Sequence, residues 1–81
     1  MKLPIRTAAD LGVVIRAVRK DAGVRQDDLA GMVGVSRQFA VDAERGKPTI
    51  QLAKVLRLLE ELGVELSVEL GEGAASQYHR L

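Results

Sequence analysis

Apolar positions recur at the helical period from Leu11 to Leu62, and the period then changes from about 3.6 to 2 over residues 64–70. Leu11, Val14, Ile15, Val18 and Ala22 form the first stripe, preceded by Thr7 as N-cap with Asp10 three residues on, a carboxylate form of the capping box. Gly23 is placed to end this helix. A second, short helix is expected to start near Gln26, to carry Leu29, Ala30 and Val33 inward, and to stop at Gly34, where a left-handed residue is needed. After the anchor Val35, Ser36 is the expected N-cap of a third helix from Arg37 to Arg45, with Ala40 and Ala43 as its narrow inward face and Gly46 beyond its end. Pro48 forbids continuation. Thr49 is the expected cap of a fourth helix, in which Leu52, Val55, Leu56, Leu59 and Leu62 recur until Gly63 closes it.

The second and third patterns meet across Gly34 with nothing else to join them, which is the arrangement of a helix-turn-helix spanning residues 24–46. Its alanines allow close packing, and the outer face of the third helix is polar enough to enter a groove. Beyond Gly63, Val64, Leu66, Val68 and Leu70 alternate with Glu65, Ser67 and Glu69 as an amphipathic strand with no evident partner. A lone strand leaves backbone groups unpaired and an apolar face wet, so residues 64–70 are expected to pair with their counterparts in a homodimer. The alternatives are an extension of the fourth helix or pairing with residues 3–5. Residues 71–81 are rich in Gly, Ala and Ser without a period and read as a disordered tail. The expected organisation is thus a helix-turn-helix domain over residues 1–63, a dimerising strand over 64–70 and a tail over 71–81, in an all-α class with one short terminal strand.

Composition narrows this picture. A chain of 81 residues with 47% hydrophobic residues but one Phe, one Tyr and no Trp builds its core from Leu, Val, Ile and Ala, which suits helices packed on helices. The absence of cysteine excludes disulfides and thiolate metal sites and points to a reducing compartment. No apolar run reaches the roughly 18 residues of a membrane span, and MKLPIRTAAD lacks the hydrophobic segment of a secretory signal, so a cytoplasmic protein is expected. Residues 1–50 carry nine Lys/Arg against six Asp/Glu, whereas residues 51–81 carry three against five. A basic front can therefore face phosphates. A single His79 with no Cys offers no triad, metal cluster or glycine-rich phosphate loop, so neither enzymatic activity, a cofactor, a metal nor a small-molecule substrate is expected.

The pattern of Gln26, Leu29, Ala30, Gly34, Val35, Ser36, Glu44 and Gly46 resembles the lambda-repressor-like, Xre-type helix-turn-helix family over about residues 7–63. With GKPT at 46–49, a Leu-rich fourth helix and the strand LGVELSVEL, the chain is similar more narrowly to HipB-type antitoxins. That resemblance implies a four-helix, lambda-repressor-like fold, a dimer whose terminal strands share a sheet, operator DNA as one partner and a HipA-type serine/threonine kinase toxin as another. By matching positions it implies base reading by Arg37, Gln38, Val41 and Asp42: Arg37 toward guanine, Gln38 toward adenine and Val41 toward a thymine methyl. Asp42 departs from the neutral or basic residues common there, and is expected either to accept from cytosine or, in preference, to pair with Arg45. Phe39, another departure, is expected to pack against a neighbouring helix.

The resemblance also implies a phosphate contact by Gln26, with Arg25, Ser36, Arg45 and Lys47 available to the same backbone. Arg19 and Glu44 match the family's buried ion pair and are assigned to structure; Val64, Leu66, Val68 and Leu70 are assigned to dimerisation. The implied function is a transcriptional repressor that is also the antitoxin of the kinase and regulates its own operon by occupying the promoter. The alternatives are a freestanding Xre-type or phage-like repressor without a toxin, and a helical module that docks protein alone.

Overall fold

A computed structural model describes residues 1–79 of the chain. The helices are α1 (Ala8–Asp21), α2 (Gln26–Val33), α3 (Arg37–Arg45), α4 (Leu52–Glu61) and a short α5 (Glu72–Gln77). Local chemistry accounts for the ends of the first three. Thr7 Oγ1 accepts from the Asp10 backbone N–H at 3.0 Å, while Asp10 Oδ2 accepts from the N–H groups of Thr7 at 3.1 Å and Arg6 at 2.9 Å, completing the capping box. These bonds, that from Arg6 foremost, hold the Asp10 carboxyl below the usual aspartate range against the opposing effect of desolvation. Gly34 ends α2 in the left-handed region at φ 77°, and its N–H returns to the Ala30 carbonyl.

The core is assembled from Ile15 of α1, Leu29 and Ala30 of α2, Ala40 and Ala43 of α3, and Val55, Leu58 and Leu59 of α4. Leu11, Val33, Phe39 and Leu62 pack around it partly buried, so Phe39 takes the packing role expected of it. Helix α1 lies against α3, and α2 lies against both α3 and α4. The first of these contacts depends on two glycines. A Cβ at Gly12 would stand 2.5 Å from the Glu44 carbonyl oxygen and 2.7 Å from that of Ala43, so α1 meets the end of α3 backbone to backbone. Gly46, at φ 77°, lets the chain leave α3 directly against the backbone of Ala9.

Two expectations are corrected and one alternative is excluded. Helix α4 is not capped by Thr49: its N-cap is Gln51, with no side-chain cap bond. The alternating segment 64–70 forms no strand in the isolated chain, where no ladder of backbone partners runs beside it among the described residues; the pairing expected of it is with a second copy. It does not prolong α4 either, since the helix ends at Glu61 and Gly63 turns left-handed at φ 73°. Residues 1–5 run beside residues 65–69, joined by Lys2 Nζ to Glu69 Oε1 at 3.0 Å between two highly exposed side chains. The expected structureless tail contains α5, with Glu72 in its first turn and no buried residue; Arg80 and Leu81 lie outside the described residues.

Candidate nucleic-acid interface

Helix α3 owes its orientation to the two sides it presents. Ala40 and Ala43 are 1% and 4% exposed against the core, while Arg37 and Gln38 face solvent in the first turn and Val41 and Asp42 are half-buried one turn on. Small inward residues bring the helix close to the body, and the outward side chains then stand clear of it. Ser36 fixes where the helix begins: its Oγ accepts from the Phe39 N–H at 3.0 Å. Phe39 carries Lys54 Nζ 5.7 Å from its ring centre, within cation–π range, and so ties the start of α3 to α4.

Beneath this face, Arg19 and Glu44 form the ion pair expected of them. Arg19 Nε donates to Glu44 Oε2 at 2.5 Å and Nη2 to Oε1 at 3.0 Å, a bidentate fork whose side chains are 9% and 4% exposed. Arg19 Nη1 also donates to the Val24 carbonyl at 2.8 Å, so one guanidinium joins α1, the α1–α2 turn and α3. Hydrogen bonding to Glu44 raises the proton affinity of Arg19, outweighing the opposing effect of its burial. No buried side-chain polar atom among the described residues lacks a partner.

Five side chains expected at the nucleic acid, Arg25, Gln26, Gln38, Asp42 and Lys47, prove to be engaged within the protein. Gln26 Nε2 donates to Glu44 Oε1 at 3.1 Å, so the ion pair orients the carboxamide at the start of α2 and leaves its second N–H available. Asp42 does not pair with Arg45. Its Oδ1 accepts from Gln38 Nε2 at 2.9 Å and its Oδ2 lies 3.8 Å from Lys47 Nζ, because Gln38 is one full turn back on the same side and Gly46 folds Lys47 over the helix end. Arg25 is held by Asp27 at 3.2 Å in a largely exposed pair. Arg37 and Arg45 form no ion pair among the described residues and remain exposed.

Two adjoining hollows surround this face. One is lined by Arg16, Arg19, Lys20, Arg25, Gln26, Asp27 and Arg37, the other by Arg16, Gln26, Arg37, Gln38, Val41, Glu44 and Arg45. Arg16 and Lys20 are not among the residues singled out by the sequence pattern, although their spacing of four on the polar side of α1 is visible there. Nor is Gly12, for which no local signal exists. The segment assigned to dimerisation stands apart from these hollows: Val64 is half-buried, and Leu66, Val68 and Leu70 are exposed. Among the described residues there is no group of three or more potential metal ligands, and no helix is long and apolar enough to cross a membrane.

The family model described as Helix-turn-helix matches residues 15–68. An uncharacterized HTH-type transcriptional regulator, y4mF, of Sinorhizobium fredii is 50% identical over 64 residues, 79% of this chain and 84% of that protein. A second uncharacterized HTH-type transcriptional regulator, from Methanothermobacter thermautotrophicus, is 38% identical over 52 residues, 64% of this chain and 75% of that protein. Among solved structures, a HipB-O4 20mer complex and a HipA-HipB-O2-O3 complex each superpose with a TM-score of 0.78 at 18% identity, over 88% of this chain and 100% of theirs. At that identity the likeness establishes the shared fold.

Proposed function

Because this chain belongs to the Helix-turn-helix family (HTH_3), we propose that it is a dimeric, sequence-specific repressor that represses by occupying its promoter and also acts as the antitoxin of a HipA-type kinase encoded beside it. The observation that carries the DNA-binding part is the outward first turn of α3, where Arg37 and Gln38 project from a helix seated on Ala40 and Ala43. Arg37 is assigned to guanine O6 and N7, and Val41 to a thymine methyl. Gln38 and Asp42 act as one unit, since the carboxylate holds the Gln38 amide nitrogen and turns its oxygen outward as an acceptor. Gln26, aimed by Glu44, is assigned to a phosphate, with Arg25, Ser36, Arg45 and Lys47 along the same strand.

The dimer rests on the alternation at Val64, Leu66, Val68 and Leu70, of which the exposed Leu66, Val68 and Leu70 would be covered by a second copy pairing strands across a two-fold axis. The toxin partner rests on the resemblance to HipB-type antitoxins and on the shared fold with HipB as seen in a HipA-HipB-O2-O3 complex. A freestanding repressor is the second reading. It is favoured by the two sequence relatives, whose names are those of transcriptional regulators and mention no toxin.

Duplex binding to the chain's own promoter region tests the first part. Arg37→Ala should relax base preference at one position by about 1–3 kcal/mol, while Gln26→Ala should weaken all duplexes about equally. Equal loss of preference from both variants would reject the division of roles. Co-expression with the neighbouring open reading frame separates the two functional readings: a kinase that is silent only in the presence of this chain supports the antitoxin.

A further inference from the structure

Arg16 and Lys20 stand one turn apart on the exposed side of α1, and neither has an ion-pair partner among the described residues. Like charges at this spacing disfavour the helix that carries them. The favourable field at a helix C-terminus accounts for Lys20 in the last turn but not for Arg16 in the middle of α1. Their position supplies another reason. Both line the first hollow beside Arg25, Gln26 and Arg37, where the only carboxylate is that of Asp27, already held by Arg25. Arg19 in the same wall is neutralised by Glu44. Arg16 is also the one α1 residue lining the second hollow, beside Arg37, Gln38 and Arg45. It therefore spans the ridge between the start of α2 and the outward turn of α3.

We propose that Arg16, supported by Lys20, binds a phosphodiester of the DNA backbone adjacent to the one assigned to Gln26, so that α1 forms a third wall of the nucleic-acid surface. A guanidinium presents two parallel N–H groups that match phosphate oxygens, and an unpaired one in a concavity of excess positive charge is the group such an anion meets first. The inference rests on the DNA-binding reading of α3 and adds a residue to it.

The test uses the full chain and a mixed-sequence duplex of about two helical turns, with binding measured by fluorescence anisotropy across a salt series. Arg16→Ala should lower the slope of log K against log salt by about 0.9 per protomer and weaken binding about eightfold per protomer at 0.1 M salt. Arg16→Lys should retain most of the slope. Arg57→Ala, on the exposed side of α4 and outside both hollows, should change neither quantity. Thermal unfolding by circular dichroism should be the same for all three variants, because both arginines are exposed. An Arg16→Ala variant with unchanged slope and affinity overturns the inference alone, as does an equal loss from Arg57→Ala. A parent chain that binds no duplex at any salt concentration overturns the DNA-binding reading itself, and the inference with it.

Discussion

The body from α1 to α4 and the segments that flank it use similar side chains to opposite ends. In the body, Ile15, Leu29, Val55, Leu58 and Leu59 are no more than 2% exposed. In the flanks, Leu3, Ile5, Leu66, Val68 and Leu70 are all at least 40% exposed, with Val68 at 82%. The body encloses a core within one chain and satisfies its buried side-chain polar groups, while Val13, Met32, Leu52 and Leu56 stay at least 44% exposed on its outer side. The flanks bring apolar side chains together without covering them. The same chain thus holds a scaffold for α3 with an enclosed core and a pair of segments that enclose none.

The largest test of that contrast is Glu44→Ala. It leaves the Arg19 guanidinium buried without its carboxylate and releases Gln26, and should cost about 3–5 kcal/mol in urea unfolding. A cost below about 1 kcal/mol would mean that the body is not organised around this pair. Next is Gly12→Ala, where the new methyl meets the Glu44 and Ala43 carbonyls of α3 rather than a side chain able to move. Separation of α1 from α3 should outweigh the better helix propensity of alanine and cost about 1–3 kcal/mol. In the flanks, Val68→Ser should shift unfolding of the dilute monomer by less than about 0.5 kcal/mol. The same change should lower the sedimenting mass at high concentration. A variant that unfolds earlier as a monomer would show residue 68 to be part of the body after all.

The smallest effect concerns acid. Because the Asp10 carboxyl titrates lower in the folded chain than in the unfolded one, its contribution is fully present above about pH 4 and fades as pH falls through the folded value. Asp10→Asn should therefore flatten the acid limb by lowering stability at neutral pH, and should leave the low-pH end, where Asp10 is protonated in either state, nearly unchanged. A steeper acid limb in that variant would contradict the assignment.

Signals that act within one or two turns were legible in the residues. The Thr7 capping box, the Ser36 cap, the left-handed glycines at 34 and 46 and the inward alanines of α3 all lie within a few residues of what they organise. The ion pair, although its partners are 25 positions apart, was legible only through the family resemblance. Asp42 shows where such reading stops: Gln38 and Arg45 both stand within helical reach of it, and spacing alone favoured the wrong one. Thr49 failed for a similar reason, because the turn after Pro48 delays α4 past the residue with the better capping side chain.

The sequence by itself determined where α1, α2 and α3 begin and end and which side of each turns inward, since hydrogen bonding and apolar periodicity are settled among near neighbours; in α4 the packing instead buries Leu58 and leaves Leu52 and Leu56 exposed. Only the tertiary structure decided that Gly12 admits α3, that Glu44 reaches Gln26 as well as Arg19, and that Arg16 faces the same hollows as Arg37. Those pairings join residues of different helices, and their distances are set by how the helices pack, which no local pattern of residues encodes.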